Sequence, residues 1–252
     1  MININSQIIT PDVLIQKYTL NSTEQKIVNI LSASDHTYKY ASEDQLLFEL
    51  YLRNSIINAS VALYKSNFSF KVFRHSVCNT DFWRRTNEGG FLLKSSVNPS
   101  DAIKDIYINS SLYGTECATA MVIVYYKALV DVLPEKVFNK LFSEIYLMNW
   151  QHLDRDIGIM DYRYVHDYLP GDGRYFKNPD VNPLTPEWQG ENVFDLGDGI
   201  YYGHGLGVGR ANKFIQGLNE NRIPGSTKSA YLMDSAKRPN FKHLAQMAQQ
   251  LE

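Results

Sequence analysis

Residues 117–133, CATAMVIVYYKALVDVL, decide the fold. The run is apolar nearly all round, and a helix without a polar face belongs in the middle of a domain. A membrane span is the rival reading, but the run is near the lower length limit for one, carries Lys127 and Asp131, and stops at Pro134. It is therefore read as a buried helix. Tyr113-Gly114 breaks the chain ahead of it and Thr115 is the expected N-cap, which puts Cys117 in the first turn. Free N–H groups and the helix dipole at that position would lower the thiol pKa and could hold an oxyanion. The plainer alternative, that Cys117 is a small apolar residue opening a buried helix, stays open on position alone. Cys78, in a mixed segment, has no such context.

On the N-terminal side, residues 43–64 place Leu46, Leu47, Leu50, Ile57, Val61 and Leu63 along one helical stripe behind Ser42 as N-cap. Residues 68–93 read as strands and loops around Gly89-Gly90. On the C-terminal side, Pro134 leads into an expected amphipathic helix over Glu135 to Trp150, and residues 151–186 read as long loops with short strands. Residues 192–204 then read as a β-hairpin turning at Gly197-Asp198-Gly199. That register brings Glu191 and His204 to the open end, a carboxylate beside an imidazole, either of which could serve a cysteine as base. Taken singly, each could equally be an exposed strand end or a satisfied loop histidine. A helix near Lys213–Asn219, a strand near Ser229–Met233 and a helix from Phe241 complete one expected domain over residues 1–252.

The 27 acidic and 25 basic residues are spread evenly, which argues against nucleic acid as a partner. Met1 to Leu20 carries no secretory pattern, so an intracellular protein is expected and the triplets at Asn21, Asn58, Asn67 and Asn109 are read as chance rather than glycosylation sites. Two cysteines cannot build a disulfide scaffold. The glycines of residues 203–209 miss the dinucleotide register, and the six histidines show no metal-ligand spacing, so no metal or cofactor is expected.

Five motifs in order, Phe48-Glu-Leu-Tyr-Leu-Arg53, Glu116-Cys-Ala-Thr-Ala120, Tyr175-Phe-Lys-Asn-Pro179, Trp188-Gln-Gly-Glu-Asn-Val193 and Gly203-His-Gly-Leu-Gly207, resemble the Bacillus-type protein-glutamine gamma-glutamyltransferases between about residues 40 and 233. The first 40 residues and Asp154 to Pro170 fall outside the resemblance. It implies an α/β (α+β) fold related to papain-like and NlpC/P60 hydrolases, with a buried nucleophile helix on a central twisted sheet. By the same resemblance Cys117 is the nucleophile, Glu191 the general base and Glu116 an assisting carboxylate, with His204, Asn192, Trp150, Trp188 and Phe70 lining a substrate passage. It further implies a calcium-independent monomer in the mother cell that cross-links spore-coat proteins through glutamine and lysine side chains. The alternatives are a cysteine peptidase or glutamine amidase using Cys117 and His204, and a non-catalytic coat component.

A glutamate base poses a physical problem. Ordinary carboxyl and thiol pKa values near ~4.3 and ~8.5 leave about four units, or roughly 6 kcal/mol, against proton transfer. The expectation is that the helix start lowers the thiol while an aromatic wall of Trp150, Trp188 and Phe70 raises Glu191.

Overall fold

A computed structural model describes residues 1–251, and of Gln151 the backbone alone. Strands β1 (Ile2–Ile4) and β2 (Gln7–Ile9) form a hairpin, turning at Asn5 and Ser6 with both φ angles positive. Helix α1 (Pro11–Lys17) opens on proline, which suits a first turn that has no use for the missing N–H. Helix α2 (Ser22–Ala33) is held by a capping box between Asn21 and Glu24. Strand β3 (Tyr38–Tyr40) lies parallel to β1, giving a three-stranded sheet of order β2-β1-β3. This N-terminal layer buries its own apolar cluster, including Ile2, Leu14, Ile27 and Leu31, against the first turns of the next helix.

That helix, α3 (Glu43–Lys65), starts at the expected cap, where the Ser42 hydroxyl accepts from the Gln45 N–H at 3.2 Å. Its buried surface is wider than the sequence stripe: Glu49, Arg53, Ser55 and Ser60 are buried with the leucines, while Val61 is half-exposed. After it come β4 (Ser69–Phe70), β5 (Trp83–Arg85), β6 (Phe91–Leu93), helix α4 (Pro99–Ile108) and β7 (Gly114–Thr115). Helix α5 (Cys117–Val132) is the central helix, with Thr119 through Tyr126 buried, packed along α3 and over the main sheet. Among the described residues no helix is long and apolar enough to cross a membrane.

The helix expected over Glu135 to Trp150 is a difference. Helix α6 covers only Glu135–Leu141, and Tyr146–Leu147 is a strand, β8, that pairs with β6. Phe138 and Phe142 pack around Tyr126, after which Ile145 and Leu147 are buried alternately, a period of two that the aromatic residues disguise as helical.

The remaining strands are β9 (Met160–Arg163), β10 (Gly173–Lys177), β11 (Gly190–Gly197), β12 (Ile200–Gly203), β13 (Gly207–Arg210), β14 (Tyr231–Leu232) and β15 (Ser235–Arg238). They build an antiparallel sheet of order β13-β12-β11-β10-β15-β9, with β14 beside β10. Helix α7 (Ala211–Asn219) covers one end through Phe214, and α8 (Phe241–Leu251) packs on α3. The hairpin turns where expected, at Asp198 and Gly199 with φ of +55° and +70°, the mirror-image geometry that matches strand twist. The outcome is a mixed α/β fold with a buried helix on a central sheet, consistent with a papain-like architecture.

Candidate active site

Three short pieces of backbone place the reacting groups. Strand β7 is clamped in parallel against β4, with Phe70 opposite Thr115 and the Lys71 N–H donating to the Thr115 carbonyl at 2.9 Å. That clamp fixes where α5 begins. The cap is Glu116 rather than Thr115: its carboxylate accepts from the N–H groups of Ala118 and Thr119 and from the Thr119 hydroxyl, each at 2.7 Å. A carboxylate reaches two N–H groups where a threonine hydroxyl reaches one, and Thr115 is committed to its strand. Cys117 is thus the first helical residue.

This cap overturns the expected electrostatics of the thiol. The first-turn N–H groups that would have favoured a thiolate are occupied by Glu116. Burial, with the negative charges of Glu191 and Glu116 added, pushes the Cys117 thiol far above its usual range. Only Asn192 opposes this, through its backbone N–H and through its side-chain amide, whose Nδ2 lies 3.6 Å from Sγ.

Glu191 is buried on β11, where the register of Val193 opposite Gly203 carries the hairpin on to Gly205. The carboxylate accepts from the Gly205 N–H at 2.9 Å through Oε1, with the Leu206 N–H and the Cys117 thiol beside it. Burial raises its pKa to about 7 against these donors, and the Glu116 charge adds to the rise. Two glycines of the 203–209 run leave room for this carboxylate. A Cβ at Gly203 would stand 2.6 Å from Oε1 and 2.9 Å from Phe214, and one at Gly205 would fill the space between the carboxylate and the Phe70 ring.

His204 does not pair with Glu191 or Cys117. Its Nε2 donates to the Ser69 carbonyl at 3.2 Å and its Nδ1 accepts from the Tyr202 hydroxyl at 3.3 Å, so both ring nitrogens are used. Burial lowers its pKa to about 4, leaving it neutral at neutral pH. The expected side-by-side carboxylate and imidazole are therefore replaced by a carboxylate on the thiol and a histidine that ties the hairpin to β4.

Of the residues expected around the passage, Phe70 is 44% exposed and faces Gly205, and its ring lies 5.9 Å from His204. Trp150 and Asn192 line a cavity of about 280 Å³ together with Tyr175, Asp161 and Lys237. Trp188 is not among its lining residues; it packs on the cluster of Phe176 and Val193 instead. Tyr175 is a site residue that the sequence reading left as a motif letter. It sits directly opposite Asn192 across β10 and β11, and its pKa is pushed up to about 12 by burial and by the charges of Cys117 and Glu191. The signal was available once the two motifs were paired in register. Among the described residues no group of His, Cys, Asp and Glu is arranged to hold a metal.

The profile of the protein-glutamine gamma-glutamyltransferase family matches residues 1–248. The chain belongs to that family. It is 44% identical over 248 residues to the protein-glutamine gamma-glutamyltransferase of Bacillus mycoides (strain KBAB4), covering 98% of this chain and 89% of the relative, and 42% identical with the same coverage to that of Bacillus cereus (strain B4264). Among solved structures it resembles the transglutaminase from Geobacillus stearothermophilus (without C-terminal extension), with TM-score 0.78 and 52% identity, covering 82% of this chain and 98% of that one. The family match includes the first 40 residues and the 154–170 segment, which the motifs alone left out. This transglutaminase family member is accordingly an acyltransferase.

Proposed function

We propose that the enzyme transfers the γ-glutamyl group of a protein-bound glutamine to a protein lysine through a thioester on Cys117, with Glu191 as its acid–base group. The observation that carries this is a buried carboxylate beside Cys117, anchored by the Gly205 N–H, whose pKa is raised to about 7, the value best matched to proton transfer at neutral pH. Sulfur attacks the side-chain amide carbon as its proton passes to Glu191. The C–N bond then breaks, ammonia leaves with the proton that Glu191 returns, and the thioester remains. A lysine amine attacks, gives a proton to Glu191, the C–S bond breaks and the thiol is restored. Because burial holds the thiol far above its usual range, proton transfer and C–S bond formation occur together rather than through a standing thiolate.

The Asn192 amide and the Cys117 N–H are suited to hold the oxyanion, since the other first-turn N–H groups belong to Glu116. Glu116 acts by fixing the start of α5 and, through its charge, by keeping Glu191 basic. The cavity beside Asn192 is the reading for the substrate passage; its Trp150 wall limits water and so favours amine over hydrolysis. Spore-coat proteins as substrates and independence from calcium follow from the family resemblance. A papain-like reading would need the ring nitrogens of His204, which are both engaged.

The test is incorporation of a fluorescent primary amine into casein, with and without EDTA, beside a Cys117→Ala control. Incorporation that survives EDTA and disappears in the variant supports the reading, whereas ammonia release without incorporation would replace it with an amidase.

A further inference from the structure

A cavity of about 500 Å³ is separate from the cysteine site. Its walls come from β3, β9 and the start of α8. Two of these walls are sheet edges: β3 ends the order β2-β1-β3, and β9 ends the order of the main sheet. Each edge leaves backbone N–H and C=O groups without a ladder partner, the condition under which an extended peptide adds as a strand.

The charge of the cavity is equally specific. Arg53 and Arg238 in its floor are matched by Glu49 and by the buried Asp172. Lys39, Arg163 and Lys242 are exposed around it, one on each wall, and none has a carboxylate within ion-pair distance among the described residues; Lys242 lies only over the Tyr40 ring at 5.6 Å. The positive end of α8 opens at the same place, where Asn240 caps the helix and lines the cavity. At the rim Tyr164, whose N–H donates to the Asp234 carbonyl at 3.2 Å, holds a left-handed φ of +57° and is 80% exposed. In a chain of net charge −2, this is a local concentration of unmatched positive charge.

We propose that this cavity binds an extended acidic segment of the enzyme's protein substrates, holding the substrate while its glutamine or lysine enters the cysteine site. Three cations spread over three walls suit several carboxylates along a strand better than one phosphate, and the two free edges suit a peptide backbone. Strands β9 and β15 are the common wall: Met160, Tyr162 and Arg238 line this cavity, whereas Asp161, Ser235 and Lys237 line the smaller one beside Asn192. A segment docked here lies one two-stranded ribbon away from the cavity beside Asn192.

The inference rests on the transglutaminase reading for its substrate class, and binding is measured apart from activity so that the two can fail separately. A fluorescein-labelled peptide of alternating Glu and Val, without Gln or Lys, is titrated with the full chain by anisotropy, beside the K39E/R163E/K242E triple variant. The surface positions of these three residues leave folding intact, which the thermal melt checks. The expected result is salt-sensitive binding of the acidic peptide, at least tenfold weaker in the variant and weaker again for an N-methylated peptide. Kinetically, a glutamine donor with an acidic extension loses its KM advantage over a neutral one in the variant, while kcat and turnover of the neutral donor are unchanged. Equal binding by the variant, equal affinity for a Lys-Val peptide, or displacement of the acidic peptide by millimolar inorganic phosphate would each overturn the proposal, the last assigning the cavity to small anions.

Discussion

At the scale of single residues, Glu191 and His204 are buried in opposite senses, and their effects on pH dependence oppose each other. Glu191 has its folded pKa raised from 4.5 to about 7, which corresponds to about 3 kcal/mol. Below pH 4.5 it is protonated whether folded or unfolded. As pH rises through that value the unfolded chain releases the proton and the folded one does not, so stability is lost between pH 4.5 and 7 and stays lower above. His204 is depressed from 6.5 to about 4, so the unfolded chain takes up a proton first as pH falls, and stability is lost between pH 6.5 and 4. In Glu191→Gln the acid-side loss from His204 stands alone. That variant is expected to melt several degrees above the parent at pH 8, to lose this advantage by pH 4.5, and to lose activity about a thousandfold or more. Calorimetry between pH 4.5 and 8 checks the first two, and a melting point at pH 8 at or below the parent's would refute the burial argument. For activity, kcat/KM should rise with pH through an acid limb near 7 set by Glu191. His204→Gln keeps the thiol and carboxylate in place and is expected to lose no more than about tenfold; a loss equal to that of Glu191→Gln would return the histidine to the chemistry.

At the scale of elements, the hairpin β11–β12 and the start of α5 are the two structures that make the site. The hairpin was legible, because its turn residues Gly197-Asp198-Gly199 lie between two short runs of strand formers, and the register put Glu191 level with Gly205. The relation of that carboxylate to the histidine was not legible, since strand spacing places residues along an edge and says nothing of which neighbours absorb their polar atoms. His204 is taken up by Tyr202 and Ser69, and Ser69 reaches it only because β4 crosses to β7. The start of α5 was legible to within one residue, yet that residue reversed the electrostatics: with Glu116 as cap, the first-turn donors serve the cap and not the thiol. Gly203 and Gly205, which belong to no nucleotide motif, are accounted for by the close approach of Glu191, and Gly207 by its φ of +78° beside the Tyr64 ring. Gly203→Ala is the corresponding test. A Cβ there meets both the carboxylate and Phe214, which sit on opposite elements and cannot both retreat. The expected outcome is a loss of kcat of about a hundredfold, with the thermal melt lowered by only a few degrees; unchanged kcat would show that the carboxylate has freedom to move away.

At the scale of the whole molecule, the sheet, the long helix and the N-terminal layer are joined by one buried carboxylate. Asp172, at the head of β10, accepts from Arg53 of α3 at 2.8 Å, from Arg238 of β15 through two bonds at 2.7 Å, and from the Leu169 N–H at 2.9 Å. Burial pushes the carboxyl up, but the two guanidinium groups outweigh it and hold its pKa below the usual range. Arg53 is completely buried, is shared with Glu49, and lies against the Phe241 ring of α8 at 4.5 Å. Leu169 belongs to the N-terminal apolar cluster and Phe241 to the central one, so the network bridges two cores that otherwise meet along α3. None of this was visible in a helical stripe drawn through leucines, which leaves Arg53 out. Asp172→Asn removes the charge while keeping the shape, leaving the buried Arg53 with Glu49 as its one carboxylate and the partly buried Arg238 without its ion pair. Breaking a buried pair in this way costs about 3 to 5 kcal/mol, and at 2–4 °C per kcal/mol for a chain of this length the midpoint should fall by roughly ten degrees. Because Asp172 stands apart from Cys117 and Glu191, the acid limb of kcat/KM should stay near pH 7 at temperatures where the variant is folded. A displaced limb would mean that the network also sets the field at the thiol, and a melting point within two degrees of the parent would mean that the two cores hold together by apolar packing alone.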